Sequence, residues 1–330
     1  MKQKITFLMQ GAYDKINTPI AASSIRKYFP YAKIILSTWE GTEIPSDLNV
    51  DECLFCEDPG GFRDNFVDFT NNLARQLVSS QRGLEKVNTE YTVKMRTDIA
   101  FYSDSVLRLS KKFLQREKND SVFNQKIIIP TFFTKRFLVT PDGGLIQPTP
   151  FHFSDWFCYG LTDDVRKFYS APIPKEPYQS VFFTENQALY SNKVNLMGAS
   201  HRYAPEQYIA YWCYRKYHSN PVQFDNYMDF TDELIQESDK FLVSNFLVYS
   251  PKSLGFYCLK EGKGGDAYRR WSLGEKKLPY LLWNGLVREY VYQMLYKKYC
   301  DFSYSPSLAS RVQEGWERIV IGRLKKCLLP

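Results

Sequence analysis

Tyr91-Thr-Val-Lys-Met95 runs without a break into Arg96-Thr97-Asp98. A short strand-forming run that stops at a charged triplet reads as a strand ending where its chemistry begins. Working outward, the same format recurs. Ile5–Met9 is apolar and ends in Gln10-Gly11, and Ala32–Leu36 ends in Ser37-Thr38-Trp39. Val50–Phe55 and Lys126–Ile129 are two further strand candidates. Helical patterns lie between them. Thr18-Pro19 opens one that Pro30 ends, a longer one is expected from Phe62 to Gly83, and Ser105–Phe113 reads as a third. Runs that are apolar throughout, rather than alternating, belong to strands covered on both faces. The first 130 residues therefore read as an α/β open sheet.

In such a sheet, ligands bind outside the carboxyl ends of the strands. That rule selects Gln10 and Gly11, Thr38 and Trp39, and Arg96-Thr97-Asp98. Gly11 lets backbone approach a ligand closely. No GxGxxG follows the first strand and no GxxxxGK[ST] occurs, which disfavours a dinucleotide fold and excludes a P-loop. Gly262-Lys-Gly-Gly265 alone says little about phosphate. A carboxylate at a strand end beside an arginine suits a divalent ion bridging a diphosphate. The plainer alternative for Asp98 is turn capping, with Arg96 as its salt-bridge partner. Arg63, Arg75 and Arg82 on or near the long helix are either surface residues or phosphate forks.

Past residue 130 the chain is rich in Pro and Gly, then resumes with Ser154–Tyr159 as a strand. Asp155 in Ser154-Asp155-Trp156 suits a general base on a sugar hydroxyl, with Trp156 stacking on the sugar; the alternative is a surface Asp beside a core Trp. Glu206, in Pro205-Glu206-Gln207 at a helix start, is the second base candidate, against a simple helix-dipole role.

Aromatic residues make up 16% of the 330, which fits a thick aromatic core or pockets for sugars and bases. The formal charge is +7, and residues 250–330 hold 15 basic against 7 acidic side chains, so the basicity belongs to the C-terminal quarter. Residues 310–330 carry apolar positions at helical spacing beside basic ones. The pattern suits an amphipathic anchor on anionic lipid or a half-buried terminal helix. Seven irregularly spaced cysteines argue against a disulfide framework, and Cys53-Leu-Phe-Cys56 reads as two buried or half-buried thiols at a strand end. No window of about 20 apolar residues appears. A cytoplasmic protein, peripheral to the inner face of the membrane, is expected.

Together these segments resemble the WavE lipopolysaccharide-synthesis family over roughly residues 3–250. The residues that carry it are FLMQGAYD from Phe7, IILSTWEG from Ile34, ARQLVSSQRGLE from Ala74, YTVKMRTDI from Tyr91, FSDWFCYG from Phe153 and APEQYI from Ala204. The resemblance implies a GT-A-like glycosyltransferase: an open, mostly parallel sheet flanked by helices, with a helical, aromatic-rich C-terminal region. It implies that Asp98 is the aspartate of a variant DxD motif holding Mn2+ or Mg2+. Arg96 then stands at the motif's first position, where it can itself neutralise the diphosphate. It further implies that Gln10, Gly11, Thr38 and Trp39 line the nucleotide-sugar site and that Arg75 and Arg82 meet the phosphates. Asp155 or Glu206 is then the catalytic carboxylate, and His152 and Trp156 contact the acceptor. The expected partners are a nucleotide-sugar donor, a free or lipid-linked glycan acceptor of the lipopolysaccharide core, O-antigen or capsule, and an anionic membrane surface; nucleic acid is not expected. Two domains are expected, 1–230 with the donor and acceptor sites and 231–330 as a helical basic extension. The competing readings are a sugar-phosphate or polyol-phosphate transferase and a non-catalytic scaffold.

Overall fold

The computed structural model describes residues 4–63, 70–139, 146–174, 202–226, 229–259, 287–308 and 311–312. Seven strands form one sheet: β1 (Ile5–Gln10), β2 (Lys33–Trp39), β3 (Glu52–Cys56), β4 (Tyr91–Arg96), β5 (Ile127–Pro130), β6 (Phe157–Leu161) and β7 (Phe246–Tyr249). Their order is β7-β5-β6-β4-β1-β2-β3. All neighbours are parallel except β6, which runs antiparallel to both β4 and β5. This is the open, mostly parallel α/β sheet that the unbroken apolar runs foretell. Every residue of β1 and of β5 is buried.

The described helices of two turns or more are α1 (Asn17–Tyr28), α2 (Leu73–Glu85), α3 (Thr162–Phe168), α4 (Pro205–Tyr217), α5 (Asp232–Asn245) and α6 (Glu289–Tyr299). α2 lies so close to the sheet that a Cβ on Gly83 would stand 2.3 Å from Leu8 Cδ1. Much of the aromatic content among the described residues is core. Phe151 packs at ring-centroid distances of 4.8 to 6.1 Å against Tyr211, Tyr214, Phe224 and Phe241.

Four expectations change. The long helix begins at Leu73, not Phe62. Phe62–Arg63 instead pairs antiparallel with Thr70–Asn71, and Asn71 Oδ1 accepts the Leu73 N–H at 2.8 Å to start the helix. Ser105–Lys111 is a 3-10 helix. The strand in Ser154–Tyr159 starts only at Phe157, which leaves Asp155 and Trp156 in the turn before it. A boundary at 230/231 separates no second core among the described residues. β7 completes the main sheet through its parallel pairing with β5, and Tyr292, Leu295 and Tyr296 of α6 join the same hydrophobic cluster. The glycine loop 262–265 and nearly all of the terminal basic segment lie outside the described residues. Cys53 is half-buried, Cys56 is buried, and both are free thiols. Among the described residues no helix is long and apolar enough to cross a membrane.

Candidate active site

The strand order reverses at β1. β2 and β3 lie on one side of it and β4 on the other, so a crevice opens at the carboxyl ends of β1 and β4. Register places Gln10 opposite both Ser37 and Arg96. The chain leaves β1 through Gly11, whose φ of 113° is one that side chains resist, and its N–H donates to Ser37 O at 3.0 Å. Thr97 Oγ1 donates to Ala12 O at 2.9 Å, tying the turn after β4 to the turn after β1. A cavity of about 680 Å³ results, lined by Gln10, Gly11, Trp39, Arg75, Arg96, Asp98, Asp155 and Trp156 among others. Such a volume suits a nucleotide-sized ligand.

Arg96 is the hub of one wall. Its Nε and Nη2 fork onto Asp98 Oδ1 and Oδ2 at 2.9 and 2.7 Å. Its guanidinium carbon lies 3.9 Å from the centre of the Trp156 ring system. Phe133 stacks against Trp156 as well, at 4.9 Å and 23°, and Lys135 Nζ lies 5.3 Å from the Phe133 ring. Trp156 is thus packed by protein on its stacking surfaces and only 8% exposed. This corrects the expectation that it stacks on a sugar: what it stacks is Arg96. Asp98 also departs from its expected role. Manganese or magnesium takes oxygen ligands, usually one or two carboxylates plus phosphates. Both Asp98 oxygens already serve a cation that stands where a second carboxylate would be needed. The residues present do not fit a metal at Asp98.

Asp155, next to Trp156 in sequence, is a second hub of the lining. Its main-chain carbonyl accepts from Lys94 Nζ, from Tyr169 Oη at 2.8 Å and from Gln76 Nε2 at 3.2 Å. The residue is 3% exposed, and Oδ1 has no hydrogen-bond partner. Burial raises the acid's pKa, while Lys94, Gln76 and Arg96 pull it back. Lys94 is wholly buried in β4, and desolvation pushes its pKa down to about 8. Glu206 sits at the first turn of α4. Burial, and then the charge of Asp155, push it up to about 8. Asp155 in the cavity lining and Glu206, which is not among the lining residues, are thus two carboxyl groups that resist ionising together.

The structure sorts the remaining candidates. Arg75 reaches the cavity rim, forked onto Asp58 at 2.7 and 2.8 Å. Arg82 lies seven residues on, about 10 Å further along the helix. It pairs with Glu85 at 3.4 Å and lines a separate groove against β3. Thr38 alternates with Trp39 along β2 and is fully buried, so only Trp39 meets the cavity. His152 is buried behind the cavity, not in it. Its Nδ1 donates to Phe133 O at 2.9 Å, and Nε2 faces Glu206 Oε2 at 3.9 Å. Burial, and next the charge of Lys135, push its pKa down to about 3, so it is neutral. The structure adds Lys94, Gln76 and Asp58. Only Lys94 left a signal, a lysine between Val93 and Met95 in the interior of a strand.

A family described as WavE lipopolysaccharide synthesis matches residues 5–326, nearly the whole chain. No curated protein matches. Among solved structures, the chain is similar to 2-C-methyl-D-erythritol 4-phosphate cytidylyltransferase from Thermus thermophilus, at 15% identity and a TM-score of 0.31, over 52% of this chain and 75% of that one. It is also similar to the apo form of the glycosyltransferase GlyE of Streptococcus pneumoniae, at 12% identity and a TM-score of 0.29, over 66% of this chain and 45% of that one. The sheet itself is open, mostly parallel and flanked by helices.

Proposed function

The chain belongs to the WavE lipopolysaccharide-synthesis family, and from that premise and the geometry of the cavity we infer that it is a glycosyltransferase acting on a bacterial surface glycan. One observation carries the reading. Asp155 is a buried carboxyl whose backbone is held by three donors while its own Oδ1 is left without a partner at the cavity wall. Burying a polar oxygen without a partner is costly, and sites that tolerate it are commonly functional.

In the reaction proposed, the nucleotide sugar lies across Gln10, Gly11 and Trp39. Arg96 keeps its Nη1 hydrogens for the diphosphate, and Arg75 adds a second positive charge at the rim. The acceptor hydroxyl gives its proton to Asp155, and its oxygen forms the new bond to the anomeric carbon. The bond from that carbon to the diphosphate oxygen breaks, and the electron pair leaves with the nucleoside diphosphate. A base on the acceptor implies inversion at the anomeric carbon. The raised pKa of Asp155 makes it a stronger base than an exposed aspartate, closer to working pH. Glu206, mostly protonated at pH 7, keeps the pair from carrying two charges.

The test is a thermal-shift panel of UDP, GDP, CDP, CMP and ADP, each with and without manganese. A ligand at ten times its Kd stabilises the folded state by about 1.4 kcal/mol. A rise with one nucleotide that is lost in Arg96→Ala and kept in Asp155→Asn is expected. Because Asp98 is already compensated, the rise should not require manganese. No rise at millimolar nucleotide would overturn the donor site and favour a scaffold.

A further inference from the structure

A second constellation lies away from the cavity. His218 follows the last residue of α4, and its ring stacks on Tyr214 at 4.6 Å and 27°. Its Nε2 lies 3.4 Å from Asp120 Oδ1, in the segment that leads into β5. Glu237, on α5, adds a carboxylate oxygen, and the three ligand atoms all lie within 4.8 Å of one another. The side chains are mostly buried, with 7% exposure for His218, 15% for Asp120 and 16% for Glu237. An ion pair between His218 and Asp120 would account for two of the three. That pair leaves out Glu237, whose Oε1 accepts from Lys240 Nζ at 2.7 Å and whose carboxylate still stands beside the other two side chains.

We propose that Asp120, His218 and Glu237 bind a divalent transition-metal ion, zinc foremost, in a structural site that ties the segment before β5 to α4 and α5. The ligand set is one imidazole and two carboxylates, which suits zinc and disfavours magnesium. Tetrahedral zinc with bonds of about 2.0–2.1 Å spaces its ligands by about 3.3 Å. The separation of 3.4 Å between Asp120 and His218 already meets that spacing. Glu237, whose ligand atom lies within 4.8 Å of the other two, would close in on binding, and the fourth position is left to water. The ring is held for the purpose by Tyr214, and the Asp120 main-chain carbonyl accepts from Asn245 Nδ2 at 2.7 Å. His218 Nδ1 now accepts the Asn220 N–H at 3.3 Å, so the neutral ring carries its proton on Nε2. Metal binding moves that proton to Nδ1 and gives up the Asn220 contact. α4 is about 20 Å long, which sets the ion at the far end of the helix from Glu206.

The experiment uses the full chain, stripped with chelator and titrated with zinc chloride, with magnesium chloride as control. Calorimetry should show one site, and the melting point should rise with zinc and not with magnesium. Glu237→Gln and His218→Gln should each weaken zinc binding at least tenfold while leaving the response to nucleotide unchanged. X-ray absorption at the zinc edge on the wild-type chain should show nitrogen and oxygen ligands only. The proposal is overturned by no rise with zinc, by an unchanged rise in both variants, or by sulfur ligands, which would place the zinc on the free cysteines. Should a variant fail to fold, the absorption spectrum of the wild-type chain decides alone.

Discussion

Glu206→Gln should make the protein more stable in alkali and leave it unchanged in acid. Folding raises the Glu206 pKa from 4.5 to about 8, first through burial and then through the charge of Asp155. The sign follows from proton binding. Below pH 4.5 the carboxyl is protonated in both folded and unfolded chains, and it contributes no difference. Between pH 4.5 and 8 the unfolded chain ionises and the folded one does not, so stability falls as pH rises. The slope is about 1.36 kcal/mol per pH unit, which amounts to about 3 kcal/mol by pH 7 and on the order of 5 above pH 8. Asp155 contributes to that rise, so the penalty belongs to the pair, and one substitution should recover a few kcal/mol. Glutamine has the shape of the protonated acid and never ionises. Urea unfolding of both proteins at pH 5, 7 and 8.5 measures the difference. The curves should nearly coincide at pH 5 and separate progressively above it, with the variant the more stable. Parallel pH dependence, or a variant less stable at pH 8.5, would refute a carboxyl held protonated by its surroundings.

Asp155→Asn should lower the transfer rate by about 10²–10⁴, with binding of the nucleoside diphosphate by calorimetry unchanged and the melting point equal or higher. Lys94→Met removes the buried cation that pulls the Asp155 pKa down, so the acid limb of the pH–rate profile should move to higher pH. Arg96→Lys loses both the planar fork on Asp98 and the stack on Trp156; nucleotide affinity should fall about tenfold or more, because lysine reproduces neither contact. Gly83→Ala drives a methyl into the side chain of the wholly buried Leu8, which must shift; a loss of about 1–3 kcal/mol in urea unfolding is expected, by overpacking.

The parts of this molecule legible in the sequence are those fixed by local pattern. The apolar runs at Ile5, Ala32 and Tyr91 became neighbouring parallel strands, and of the residues at their ends Gln10, Gly11, Trp39, Arg96, Thr97 and Asp98 line one cavity while Thr38 does not. Pattern fails where partners are distant or a choice is two-fold. Thr38 and Trp39 are equally terminal on β2, and only the pleat decides which one faces the cavity. Arg75 and Arg82 share a helix face, and only the docking of α2 decides which turn lies near the ligand. Phe246–Tyr249 is four apolar residues directly after a helix, and period alone does not distinguish a buried strand of that length from one more turn. The faces of Trp156 were beyond reach, because they are occupied from Arg96 and from Phe133, each far along the chain.

Asp155 shows how much a strand's direction matters. The rule for open sheets looks at residues that follow a strand, and in β1, β2 and β4 the candidates do follow. β6 runs the other way, so the residues at that edge are those that precede it, which are Asp155 and Trp156. Direction is a property of pairing and cannot be read from FSDWFCYG alone. The reversal also explains the chemistry. A residue before β6 has its carbonyl beside β4, within reach of Lys94, and stands in the lining of the crevice. Two further segments are bent to hold it there: Phe133 and Phe151 both adopt positive φ, at 61° and 57°, a conformation that bulky residues avoid. Strain of that kind costs on the order of 1–3 kcal/mol per residue. Here it is offset by contacts that converge on one turn: Thr134 Oγ1 accepts the Ser154 N–H at 3.1 Å, and the His152 carbonyl accepts the Lys135 N–H at 2.8 Å. A fold that strains two phenylalanines to fix the turn carrying Asp155 places its rigidity where the proposed reaction would take a proton from the acceptor hydroxyl.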